Sequence, residues 1–200
     1  MPTFNLISVK YGKEGVFDSW IENGQADAWF KNMAGSEQYF GWLSEYNLPT
    51  QSIQPGTYGG NYSITANVSQ SATVTQDQAV ATLIAAIETG ELPKPDATTQ
   101  YIIHFPKDIF VPDFCQVFCA YHYFFNYNEL QVKYSVLPYG SDCQGCAQSY
   151  ELFGVIVSHE VAETVTDPLG FGYGDLCYGE IGDICVNAPA ALAKGSDGNE

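Results

Sequence analysis

The sequence predicts an α+β domain in which one helix carries the chemistry, and three observations lead to it. Segments with the alternation of a strand and segments with the spacing of a helix follow one another in mixed order. Of the 200 residues, 46% are hydrophobic and 14% aromatic, ample for one buried core. Late in the chain the apolar run Leu152, Phe153, Val155, Ile156 and Val157 leads into His159-Glu160-Val161-Ala162-Glu163. An imidazole and two carboxylates on a mostly buried helix are costly unless a metal or a proton-transfer task uses them. Residues 1–187 read as a single domain and 188–200 as an Ala-rich, polar tail that frays.

Taken in order, residues 4–12 alternate and end at Gly12, which predicts an opening strand. Residues 27–46 hold Trp29, Phe30, Met33, Tyr39, Phe40, Trp42 and Leu43, with Gly35 as a break; they predict two short helices, or one bent one, packed into the core. Residues 49–60 read as a Pro/Gly loop and 62–75 as a strand. Gln76–Thr89 sets Val80, Leu83, Ile84 and Ile87 at helical spacing and offers Gly90 as a C-cap. Residues 92–96 form a proline-stiffened connector and 101–106 a buried strand, which makes His104 a strand histidine with a satisfied hydrogen bond. Residues 119–125 and 130–138, joined through Asn126 and Asn128, predict a hairpin.

Seven basic against 23 acidic residues, a net charge of −16, argue against nucleic acid as a partner, because phosphates demand Lys and Arg. No apolar run approaches the roughly 20 residues that span a bilayer. The first residues lack a secretory signal, leaving a cytosolic protein or one whose signal was removed. Six cysteines fall in three close pairs, Cys115 with Cys119, Cys143 with Cys146, and Cys177 with Cys185. Three local disulfides are the simplest reading if the protein is secreted; the alternative gathers Cys115, Cys119, Cys143 and Cys146 around a structural zinc ion.

The site is read from spacing. His159 and Glu163, four apart, share a helix face with Glu160 beside them. The zincin pattern His-Glu-x-x-His uses that spacing for two ligands, with the intervening Glu as general base. Here Glu163 replaces the second His, which zinc accepts but which also suits calcium or manganese. Pro168 ends the helix, so Asp167 either adds a carboxylate to that face or starts the turn into Gly170, Gly172 and Gly174. A third ligand is expected from the acidic loop at Asp183 or Glu180, which otherwise is an ordinary acidic loop. His122 either reaches the metal or polarises a carbonyl, or is a structural histidine on an aromatic strand.

The stretch Ser158 to Pro168, with Glu180-Ile181-Gly182-Asp183-Ile184-Cys185, resembles a group of largely uncharacterised microbial and fungal proteins that share an HExxE, TDP and EIGD-C signature. Through Cys115-x-x-x-Cys119-x-x-His122, the Cys143–Cys146 pair and Thr166-Asp167-Pro168, it is also remotely similar to the plant phosphate-induced, EXORDIUM-like proteins. The resemblance implies a secreted, disulfide-bonded, zincin-like fold, a mixed sheet with a backing helix and a site helix. The expected function is a zinc-dependent hydrolase acting on a peptide or protein. His159, Glu163 and Asp183 or Glu180 would be its ligands and Glu160 its base, with His122 or Tyr173 steadying the oxyanion. The alternatives are a non-catalytic extracellular protein holding calcium on Glu163, Asp167, Glu180 and Asp183, or a network with no metal.

Overall fold

The computed structural model describes residues 1–66, 71–175 and 179–185; the tail expected to fray lies outside them. The alternating N-terminal segment forms strand β1 (Asn5–Tyr11). A short helix α1 (Ser19–Glu22), not anticipated, precedes α2 (Gln25–Ala34) and α3 (Glu37–Trp42), which separate at Gly35 and continue into a 3-10 turn at Leu43–Tyr46. Strand β2 (Thr57–Ile64) lies earlier than the expected 62–75 and passes through Gly59 and Gly60. At Gly59 a Cβ would stand 2.9 Å from the Asn5 side chain on the neighbouring strand, so a larger residue there would need Asn5 to shift.

Helix α4 (Gln76–Thr89) keeps its predicted bounds because both ends are written locally. Thr75 and Gln78 form a reciprocal capping box, and Gly90 takes the left-handed conformation at φ 79°. Strand β3 (Thr99–His104) is buried along its whole length. β4 (Tyr121–Tyr127) and β5 (Leu130–Leu137) form the expected antiparallel hairpin, turning at Asn128 with φ 53°. Helix α5 (Tyr150–Thr166) bears the His-Glu motif, and a small hairpin of β6 (Gly174–Asp175) and β7 (Gly179–Glu180) follows it.

The architecture is α+β, with a five-stranded mixed sheet in the order β2-β1-β3-β5-β4. The first four strands are parallel and β4 closes the edge antiparallel. One face is apolar: Ile7, Val9, Tyr101, Ile103, Val132, Tyr134 and Val136 pack with Leu83 and Ile87 of α4. The opposite face meets α2, α3 and α5, and there Leu6, Ile102 and Leu137 are interrupted by buried Ser8, Gln100, His104 and Ser135. Gln100 Nε2 donates to Ser135 Oγ and to Thr164 Oγ1 of α5, both at 2.9 Å, which sets the helix in register on the sheet. The His122 position pairs with Ser135, so this edge residue faces α5 as well.

The cysteines pair across the fold. Cys115 joins Cys143 and Cys119 joins Cys146. This corrects the expected local pairs 115–119 and 143–146: all four sulfurs gather in one place, but as two parallel bridges between the segment entering β4 and the segment entering α5. Cys177 lies outside the described residues. His104 is buried beside the Phe30 and Phe153 rings, but its Nε2 has no hydrogen-bond partner, so the expected satisfied histidine is only half right. Among the described residues, no helix is long and apolar enough to cross a membrane.

Candidate metal centre

Helix α5 buries Phe153, Val157, Val161 and Val165 four residues apart, one ridge against the sheet and α2. Gly154 permits the approach, since a Cβ would lie 3.0 Å from the Trp29 indole nitrogen. The flank of the same ridge carries Glu160 and Glu163, both buried, and turns them toward β4. Tyr39 of α3 donates to the Ser158 carbonyl at 2.5 Å and braces the helix one residue before His159. The helix stops at Asp167, as Pro168 requires. There the carboxylate accepts from the Phe171 and Gly172 amides at 2.7 and 2.6 Å, so Asp167 is a turn residue rather than an added ligand.

That turn brings back the acidic loop. Asp183 Oδ1 lies 3.5 Å from His159 Nε2, which is 3.1 Å from Glu163 Oε1. The Gly182 amide donates to the same Glu163 oxygen at 3.1 Å. A Cβ at Gly182 would fall 2.6 Å from His159 Nδ1 and 2.7 Å from Glu163 Oε1, so only glycine lets the loop close over the pair. On the other side of Glu163, His122 Nδ1 is 3.5 Å from Glu160 Oε2 and 3.5 Å from Glu163 Oε2. Its Nε2 is 3.3 Å from the Asp167 carbonyl and 3.5 Å from Glu180 Oε1. Six side chains expected to carry the chemistry, His122, His159, Glu160, Glu163, Glu180 and Asp183, therefore meet in one cluster. Tyr173 instead packs edge-on against Tyr46, ring centroids 4.5 Å apart.

The electrostatics follow from crowding carboxylates in a partly dry site. Burial pushes the Glu160 carboxyl up, with His122 offsetting part of the rise. Burial would raise Glu163 as well, but hydrogen bonds and charge from His122 and His159 bring it down to about 2. Glu180 is pushed up to about 7, first by burial and then by its carboxylate neighbours, against the pull of His122. Burial alone would lower both imidazoles; the carboxylates overturn this, raising His159 and holding His122 up at about 10.

Among the described residues, two triads could hold a metal ion, His122/Glu160/Glu163 and His159/Glu163/Asp183, each with donor atoms within 4.8 Å of one another. Ligands on a tetrahedral zinc ion with bonds near 2.0–2.1 Å stand about 3.3–3.4 Å apart. The 3.1 and 3.5 Å separations around His159 Nε2 bracket that value. What the spacing of the sequence understated is His122, whose partners are distant in sequence, and Gly182, whose missing side chain shapes the site. A glycine between two acids in a loop was the one local signal available. Compared with protein-family models, with curated proteins and with solved structures, the chain matches none.

Proposed function

We propose that this chain is a metal-dependent hydrolase with zinc as its metal and a peptide bond as its substrate, a secreted zincin-like relative of the HExxE, TDP, EIGD-C proteins it resembles. The observation that carries the reading is the triad of His159 Nε2, Glu163 Oε1 and Asp183 Oδ1 at ligand spacing beside the buried carboxylate of Glu160. Zinc, when bound, supplies Lewis-acid chemistry and lowers the pKa of water to about 7. Glu160 Oε2 is the group placed to take a proton from the attacking water and hand it to the leaving amine. His122, whose ring stands 3.5 Å from both Glu160 and Glu163, steadies the developing oxyanion. The imidazoles favour zinc over calcium, and Asp167, one of the four oxygens a calcium site would use, is engaged by backbone amides.

Elemental analysis beside a peptide-cleavage assay with and without chelator tests the reading. We expect bound zinc and chelator-sensitive cleavage, and we expect Glu160→Gln to abolish turnover while the cation at His159 stays bound. Undiminished cleavage by that variant would remove Glu160 from the mechanism.

A further inference from the structure

We infer that the centre holds two divalent cations side by side, with Glu163 bridging them. The inference rests on the cation-dependent reading above and adds a second position to it. Glu163 presents its oxygens in two directions: Oε1 to His159 and Asp183, Oε2 to His122 and Glu160. Each oxygen thus belongs to its own set of one imidazole and one further carboxylate. A tetrahedral zinc ion takes four ligands, whereas six side chains converge here. A carboxylate shared between neighbouring ions is the arrangement of two-metal hydrolytic sites, whose ions stand roughly 3.5–4 Å apart.

One observation at the second position points to a ligand independently. Glu160 is 4% exposed and its Oε2 has no hydrogen-bond partner. His122 Nδ1 at 3.5 Å is too distant for a well-formed bond. A buried carboxylate oxygen left this way is costly, and a cation is the partner that answers it. His122 stands at the same position: its Nε2 lies 3.3 Å from the Asp167 carbonyl, which can only accept, and its Nδ1 faces Glu160 Oε2 and Glu163 Oε2, each at 3.5 Å. A cation bound there takes the place of the Nδ1 proton, and the Asp167 carbonyl behind the ring fixes its orientation. The charges also close: two dications balance Glu160, Glu163, Glu180 and Asp183 with both imidazoles neutral. In the doubly loaded site Glu160 and His122 act as ligands, which replaces the base and oxyanion roles they have when only the His159 position is filled.

The test is a titration of chelator-treated protein with manganese, reading bound equivalents and the paramagnetic resonance spectrum. We expect two equivalents per chain, and the hyperfine-split signal of an isolated ion should give way to an exchange-coupled one as the second binds. His122→Ala and Glu160→Gln should each reduce binding to one equivalent and restore the isolated-ion signal. Glu160→Gln, nearly isosteric, decides the matter if the His122 variant does not fold. One equivalent in the unaltered protein, or two without coupling, overturns the bridged pair while the hydrolase reading stands. No binding at all overturns both.

Discussion

Helices α4 and α5 cover opposite faces of the same sheet and obey different rules. Helix α4 buries Ala79, Leu83, Ala86 and Ile87 and keeps its polar groups in solvent or in its capping box. Helix α5 buries Glu160, Glu163 and Thr164 beside its valines, and the strand residues under it include Gln100, His104 and Ser135. The first arrangement is what burial of apolar surface produces unaided. The second gives up stability, because each buried carboxylate forfeits hydration that its neighbours replace only in part. Both faces carry a buried apolar cluster, and the α5 face also holds the centre.

The comparison can be broken most forcefully at Leu83, which is fully buried against the apolar face. Leu83→Ala should cost about 2–5 kcal/mol in denaturant unfolding. The cation affinity of the folded fraction should be unchanged. A change in affinity would show that the two faces are coupled.

The next effect belongs to His104, on the α5 face. Burial, helped by the charge of Lys10, lowers its pKa from the usual 6.5 to about 3. Between these values the unfolded chain takes up a proton that the folded chain refuses, so stability falls as pH drops from 6.5, by about 1.4 kcal/mol per unit. Above 6.5 the group contributes no pH dependence. Unfolding free energies for His104→Leu should lose that part of the acid slope. An identical slope in both proteins would place the acid sensitivity elsewhere.

The smallest effect is the most diagnostic. In chelator, Glu160→Gln should raise the melting temperature, by the equivalent of about 1–2 kcal/mol, because it removes an incompletely paired buried charge. If the variant melts lower than the parent without cations, Glu160 stabilises the fold in its own right.

Legibility in the sequence divides along the same line. The bounds of α4 and the stop of α5 are written in adjacent residues, Thr75 with Gln78, Gly90, and Asp167 with Pro168, so local chemistry is enough to find them. β2 is hard to place from sequence because two glycines hide its strand character and its position depends on pairing with β1. The cysteine pairing is hidden for a related reason: closeness in sequence says nothing about which sulfurs meet once β4 and α5 are packed. His159, Glu160 and Glu163 were visible because one helix aligns them. His122 was underrated because its carboxylate partners come from α5 and the loop beyond, which only the fold brings to the edge strand.

The two cystine bridges bear on how this centre is assembled. Each spans a similar stretch of chain, 28 and 27 residues, and together they tie the residues just before His122 to those just before the Ser149 cap of α5. Closing the first ring removes about 3–4 kcal/mol of disorder from the unfolded chain by the chain-entropy account. The second then closes only a short additional circuit and removes far less. The pair is therefore redundant as a source of stability: either bridge alone keeps the edge strand and the motif helix within reach of each other before either has folded. Loss of one bridge therefore leaves the two halves of the centre still tethered to each other.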